Sequence, residues 1–251
     1  MNIFDAHFHI IDPRYPLIEN NGFLPEKFTA QMYQTAVKPF GIHGGVIISG
    51  SFQGFDQAYL LQALDDLGPS FVGVVNLPTN TPDKAILSLY EKRICAVRFN
   101  RVRSANVPIA PLVDFAKRIY DLCGMHVEFC LNGSQIETYF SELSQLPKFS
   151  IDHLGLSYAG FKSLLKLVER GAYVKASGFM RVDFEVDKAL QTIYSINPHA
   201  LMFGTDLPGT RASRQFNKTD LSIITNHFSK DEQANILRNN ASSFYNLGYK
   251  F

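Results

Sequence analysis

The apolar positions of this chain fall into eight short runs separated by longer amphipathic stretches. The runs are Asn2–His9, Gly44–Ile48, Phe71–Val75, Ile94–Phe99, His126–Leu131, Phe149–His153, Ala172–Lys175 and Leu201–Gly204. Most are continuously apolar, as in GGVIIS and FVGVVN. That pattern marks strands buried on both faces, since a half-exposed strand would alternate apolar with polar residues. Between the runs the spacing changes to threes and fours. In QAYLLQALDDL (57–67), Tyr59, Leu60, Ala63, Leu64 and Leu67 would line one face of a helix. Segments 82–90, 111–122, 135–143, 158–170 and 187–196 repeat that spacing. Thr81 before Pro82, and Asp231 before EQANILRNNASSFYNL, are suited to helix N-caps. Gly68, Gly124 and Gly171 stand where a helix should end and the next strand begin.

Eight alternations of strand and helix, without a repeat or a linker, predict an α/β fold, a single (β/α)8 TIM barrel over residues 1–251. The competing architecture is an open doubly wound sheet. No strand is followed by a GxGxxG or GxxxxGK[ST] loop, which weakens that alternative. The chain has 251 residues, enough for one large core.

Composition narrows the partners. With 24 Lys+Arg against 23 Asp+Glu the net charge is +1, which argues against nucleic acid as a partner. No apolar stretch approaches the length of a membrane span, and the N-terminal residues do not read as a signal peptide. Three cysteines, Cys95, Cys123 and Cys130, form no CxxC and leave one unmatched, which suits a reducing compartment. These features predict a cytoplasmic protein, monomeric or homodimeric, with no membrane or nucleic-acid partner.

Barrels of this type carry their chemistry at the C-terminal ends of the strands. The first strand ends in Asp5-Ala6-His7-Phe8-His9, and in extended backbone His7 and His9 share a face. Two adjacent imidazoles suit a metal cation or a carbonyl oxygen that needs polarising. The sixth strand brings Asp152-His153-Leu154-Gly155. The eighth ends in Gly204-Thr205-Asp206-Leu207-Pro208, where Asp206 suits a general base or a metal ligand. A helix N-cap is the plainer reading of Asp206, because Pro208 follows it closely. His43, His126, His199 and His227 read as structural.

These motifs, in this order on these strands, resemble the amidohydrolase superfamily of metal-dependent hydrolases. The chain is most similar to the branch containing 2-pyrone-4,6-dicarboxylate lactonase and related lactone and ester hydrolases. SFQGFD at 51–56, Val97-Arg98-Phe99-Asn100, Ala176-Ser177-Gly178 and Asn240-Ala241 extend the resemblance over nearly the whole chain. It implies His7, His9, His153 and Asp206 as catalytic groups. It also implies Arg98, Arg181 and Ser51 as contacts to a substrate carboxylate, with Arg211 beside them.

Two departures from the superfamily pattern bear on metal binding. The fourth strand ends in Arg98-Phe99-Asn100, where binuclear members carry a bridging Lys or Glu. The fifth strand has its histidine, His126, at the wrong end. A two-metal site is therefore not expected. The branch implies catalysis with no cofactor required, and a single divalent metal such as Zn2+ or Mn2+ on His7, His9 and Asp206 is the alternative. Gly209 stands where branch members hold a polar residue.

Arginines gather after the strands: Arg98, Arg101 and Arg103 after the fourth, Arg181 after the seventh, Arg211 and Arg214 after the eighth. Guanidinium groups pair with carboxylates through two parallel hydrogen bonds, so a small carboxylated substrate is the natural partner. The expected activity is hydrolysis of a lactone or carboxylic ester with Asp206 as general base. The alternatives are a mononuclear-zinc, non-oxidative decarboxylase of an aromatic or heterocyclic acid, and a non-catalytic metabolite-binding barrel. Glu128, Arg101, Arg103 and Arg214 have no role assigned by the sequence.

Overall fold

The computed structural model describes residues 2–20, 22–103 and 107–247. Eight parallel strands, β1 (Ile3–Phe8), β2 (Ile42–Ile48), β3 (Phe71–Val75), β4 (Ile94–Asn100), β5 (His126–Cys130), β6 (Phe149–Ile151), β7 (Tyr173–Ala176) and β8 (Leu201–Phe203), pair in sequence order. Each expected apolar run overlaps one of them, with β2 starting two residues earlier than expected and β4 and β7 ending one residue later. The seam between β8 and β1 is held by the chain just beyond β8: Asp206 N–H donates to His7 O at 2.7 Å, and His9 N–H to Leu207 O at 2.7 Å. The architecture is a (β/α)8 TIM barrel, and an open sheet is set aside.

The helices are α1 (Ala30–Val37), α2 (Ala58–Leu67), α3 (Asp83–Glu91), α4 (Ile109–Cys123), α5 (Gly133–Thr138), α6 (Phe140–Leu143), α7 (Phe161–Glu169), α8 (Val186–Ile196), α9 (Lys218–His227), α10 (Lys230–Ala234) and α11 (Asn240–Phe244). In α2 the buried residues are Tyr59, Leu60, Ala63, Leu64 and Leu67, the stripe expected from the spacing. Four details differ from expectation. The single helix expected over 135–143 is interrupted at Tyr139, whose φ of −101° and ψ of 17° are not helical. Pro82 rather than Thr81 caps α3, and Ser229 rather than Asp231 caps α10, accepting from Glu232 N–H while Glu232 bonds back to Ser229 N–H. Helices α1 and α9 are additional to the expected set, although α1 buries Ala30, Tyr33 and Val37 at helical spacing. No helix among the described residues is long and apolar enough to cross a membrane.

The barrel interior has two characters. Phe4, Ala6, Val46, Ile48, Val72, Val74, Ala96 and Met202 form an apolar cluster, closed at the strand starts by Ala241, Phe244 and Tyr245 of the C-terminal segment. On the β5–β7 side the buried residues include His126, Glu128, Ser150, Asp152 and Lys175.

Strand β1 departs from regular pleating, and the departure positions the chemistry. Asp5 pairs with Gly45 but Phe8 pairs with Ile47, so three steps on β1 match two on β2. Such a bulge re-aims the side chains beyond it. Asp5 accordingly bonds Tyr33 of α1 and Thr205, Phe8 stacks on Tyr33 with ring centres 3.7 Å apart, and His7 and His9 turn toward Asp206. Glycines make the crowding tolerable. A Cβ on Gly45 would lie 2.7 Å from Asp5 O, and one on Gly204 would lie 2.8 Å from His7 Cβ.

Candidate active site

At the C-terminal ends of the strands lies a cavity of about 310 Å³, walled in part by His9, Ser51, Arg98, His153, Arg181, Asp206 and Arg211. His7 sits beneath it, fully buried. Residues almost two hundred positions apart thus converge. Asp206 Oδ1 lies 3.8 Å from His7 Nε2, 3.7 Å from His9 Nε2 and 3.9 Å from His153 Nε2. No helix begins at Asp206. Its backbone has a φ of 58°, and its side chain turns inward, so the capping role does not apply.

The groups behind the rings assign their protons. His9 Nδ1 lies 2.7 Å from Ile48 O, which can only accept, so the proton is on Nδ1 and Nε2 offers a lone pair. His7 Nδ1 lies 3.4 Å from Asp152 Oδ1 without a hydrogen bond, but the ionised carboxylate behind it favours the proton on Nδ1, which leaves Nε2 a lone pair. His153 Nδ1 is 3.0 Å from Ser177 Oγ. A serine hydroxyl can donate, so His153 alone of the three is free to carry its proton on Nε2.

Burial is the largest influence on each of these groups. It pushes His7 and His153 well below the usual imidazole range, helped by Lys175 and by His7 respectively. It lowers His9 to about 3. All three rings are neutral at pH 7. Burial raises Asp206 above the ordinary carboxyl value, with Arg181 pulling the other way. Asp152 would be raised by burial too, but Arg98 and Lys175 hold it low and ionised.

Each carboxylate has one oxygen engaged and one open. Arg181 Nε donates to Asp206 Oδ2 at 2.6 Å, and Arg98 Nε to Asp152 Oδ2 at 2.9 Å. Asp206 Oδ1, Asp152 Oδ1 and both ring nitrogens of His7 have no hydrogen-bond partner, although all are buried. Unpaired buried polar atoms are costly, so such a concentration calls for a function. At its centre, lone pairs of His7 Nε2, His9 Nε2 and Asp206 Oδ1 face one another, which requires a proton, a water or a cation among them. Their ligand atoms lie within 4.8 Å of one another, and His7, Asp152 and His153 form a second such group. Two imidazoles and a carboxylate suit Zn2+, with ligands about 2.0–2.2 Å from the ion. The donor set fits a divalent metal.

The arginines separate into classes. Arg98 Nη1 donates to Ser49 O at 3.2 Å, which leaves Nη2 without an acceptor among the described residues. Arg181 Nη2 donates to Thr210 O at 2.8 Å. Arg103 lines the cavity, and its guanidinium has no partner among the described residues. Arg211 stacks over Phe23, 4.4 Å from the ring centre, and bonds Asn20 O. Arg214 is occupied elsewhere, bound by two nitrogens to Asp220 in the first turn of α9. Arg101 bonds Val107 O and Tyr139 OH, and it does not line this cavity.

Several groups went unassigned in the sequence. Asp152 orients His7 and Arg98, and Ser177 orients His153. Lys175, fully buried, bonds Glu128 and lies 3.9 Å from Asp152 Oδ1. A lysine inside an apolar strand run was the available signal. Glu128 does face the interior, but below the cavity, where it accepts from Tyr245 OH at 2.5 Å. Cys130 reaches the cavity wall, and burial raises its thiol to about 11, so it is no nucleophile at neutral pH. Phe52 is the Phe or Tyr among the wall residues.

Comparison with known proteins identifies the family. The chain is 25% identical over 270 residues to 4-sulfomuconolactone hydrolase of Hydrogenophaga intermedia, covering 96% of this chain and 88% of that one. A probable 2-pyrone-4,6-dicarboxylic acid hydrolase of Acinetobacter baumannii, solved with citric acid bound, superposes with a TM-score of 0.85 at 22% identity, covering 98% of this chain and all of that one (100%). An amidohydrolase of Burkholderia multivorans with bound zinc superposes with a TM-score of 0.72 at 15% identity, covering 98% and 99% of the two chains. The amidohydrolase family model matches residues 4–247. With that match over nearly its full length, the chain belongs to the amidohydrolase family.

Proposed function

We propose that this chain hydrolyses a lactone or carboxylic ester of a small carboxylated substrate, with Asp206 as general base. The observation that carries the reading is the open Asp206 Oδ1, ringed by three neutral imidazoles at the floor of an arginine-lined cavity. The similarity to a sulfomuconolactone hydrolase supports a lactone as the substrate type.

Arg98, through Nη2, and Arg103 bind the substrate carboxylate, and Ser51 and Arg211 line the approach. Arg181 holds Asp206 through Oδ2 and leaves Oδ1 to take a proton from water. The hydroxide formed adds to the scissile carbonyl carbon, and the resulting oxyanion accepts from His153 Nε2–H. When the C–O bond breaks, Asp206 returns its proton to the leaving alkoxide. His7 and His9 were expected to donate to the same oxygen. Their tautomers turn lone pairs toward it instead, so they serve as acceptors or ligands. A divalent ion held by His7, His9 and Asp206 would supply Lewis acidity and lower the pKa of a bound water.

The test is a screen of carboxylated lactones and esters, run with chelator and with added Zn2+ or Mn2+. Ring opening or ester cleavage of at least one substrate is expected. Activity that survives chelation assigns catalysis to the protein groups alone, and activity restored by metal assigns an ion to the cluster. Absence of hydrolysis under every condition overturns the reading.

A further inference from the structure

A second cavity, also about 310 Å³, opens beside the first at the ends of β2, β3 and β4. Ser51, Arg98 and Asn100 wall both cavities, so the two adjoin with Arg98 between them. Away from Arg98 the apolar part of its wall is Phe55, Leu77, Pro78, Phe99, Val107 and Leu112, with Thr79, Asn76 and Arg101 among them.

Two polar side chains of that wall, Asn76 and Arg101, are engaged with the protein itself. The Asn76 side-chain amide donates to Gly50 O at 3.0 Å and to Gly54 O at 3.2 Å. Arg101 directs its guanidinium to Val107 O and Tyr139 OH. Against the apolar part of the wall a polar group would lose its water and find little in exchange, whereas an apolar group would gain by leaving water. The Arg98 guanidinium provides a cationic boundary on the side toward the catalytic cluster. Its Nε and Nη1 are spent on Asp152 and Ser49, so Nη2 is the nitrogen left for a ligand.

We infer that the second cavity is a subsite for an apolar substituent of the substrate, an aryl ring or a short branched alkyl group. The inference rests on the hydrolase reading above and specifies its substrate class. The order of features along the two cavities is catalytic cluster, Arg98, apolar wall. A substrate that spans them carries its reactive carbonyl at one end, its carboxylate in the middle and its apolar substituent at the other end. The substituent is therefore attached at or next to the carboxylate-bearing carbon. Lactone carboxylates without that group would bind through the arginines alone.

The test uses binding as well as turnover, so that the subsite and the hydrolase reading can fail separately. Succinate and phenylsuccinate are titrated calorimetrically into wild-type protein, Leu77→Trp and Phe55→Ala. Phe55 is 62% exposed, so its truncation does not threaten folding and decides the matter should Leu77→Trp fail to fold. Wild type should prefer phenylsuccinate at least tenfold, and the ratio should fall toward unity in both variants, through filling in one and loss of a wall in the other. Equal or undetectable binding of the two acids by wild type, or a ratio that neither variant changes, overturns the subsite. A tenfold wild-type preference that the variants lose, together with no hydrolysis in the substrate screen, removes the hydrolase reading and leaves the subsite standing.

Discussion

Two sets of ionisable groups are buried in this barrel, and they are satisfied to different degrees. Toward the strand starts, Glu128 accepts from Tyr245 OH and from Lys175, and His126 Nε2 lies 3.4 Å from Glu128 Oε1. Among the described residues, none of the fully buried side-chain nitrogens and oxygens left without a partner belongs to those four. Toward the strand ends, equally buried atoms of His7, Asp152 and Asp206 have no partner. Burial alone does not distinguish them, since both sets are almost fully inaccessible. Completeness of hydrogen bonding does. The lower set stabilises the fold as a closed network, and the upper set keeps open the valences that a substrate, water or ion must fill.

The largest effect should come from the upper set. Asp206→Asn keeps the shape and the Arg181 contact but removes the base, and should lower turnover a hundredfold to ten-thousandfold. Its thermal unfolding should stay close to wild type, as calorimetry would show. In the lower set the consequences reverse. Lys175→Met leaves Glu128 buried without its cation and should cost about 3–5 kcal/mol of stability in urea unfolding. Replacing Glu128 as well, in Lys175→Met with Glu128→Leu, should recover part of that loss. Full additivity of the two changes would show that the pair does not act as a unit.

His126 sharpens the contrast through pH. Burial lowers it to about 4, against the opposing influence of Glu128, and its unfolded value is near 6.5. The folded state therefore favours the neutral ring. The stabilisation is full above pH 6.5 and is lost as pH falls through 4, for a total of about 3 kcal/mol. His126→Gln cannot titrate, so the stability gap between wild type and variant should change by that amount between pH 7 and pH 4. Parallel curves would contradict the assignment. The smallest effect belongs to the rim, where Arg103→Ala should raise KM roughly tenfold with kcat unchanged, since that contact acts on bound and activated substrate alike.

Much of this was legible in the sequence. Continuous apolar runs gave all eight strands because burial on both faces leaves no alternation, and the strand-end rule then selected His7, His9, His153 and Asp206. The lower network was not legible. Glu128, Lys175 and Tyr245 come from β5, β7 and the chain beyond α11, and nothing in local spacing joins them. The β1 bulge was equally hidden, because it arises from pairing with β2 and from the space left by Gly45 and Gly204. The protonation of His9 was hidden for a related reason. Its tautomer is set by Ile48 O, a backbone atom 39 positions away. Helix ends proved least predictable, since Ser229 and Asp231 offer nearly the same capping chemistry two residues apart.

The central claim is that the open upper cluster performs the reaction and the closed lower network does not. Its most direct test is the rate of ring opening of a carboxylated lactone by wild type, Asp206→Asn and Tyr245→Phe, at a temperature where all three remain folded. The account predicts a Tyr245→Phe enzyme that turns over at nearly the wild-type rate despite reduced stability, and an Asp206→Asn protein that is stable and almost inactive. An active Asp206→Asn protein, or a Tyr245→Phe protein whose turnover collapses while it is fully folded, would contradict it.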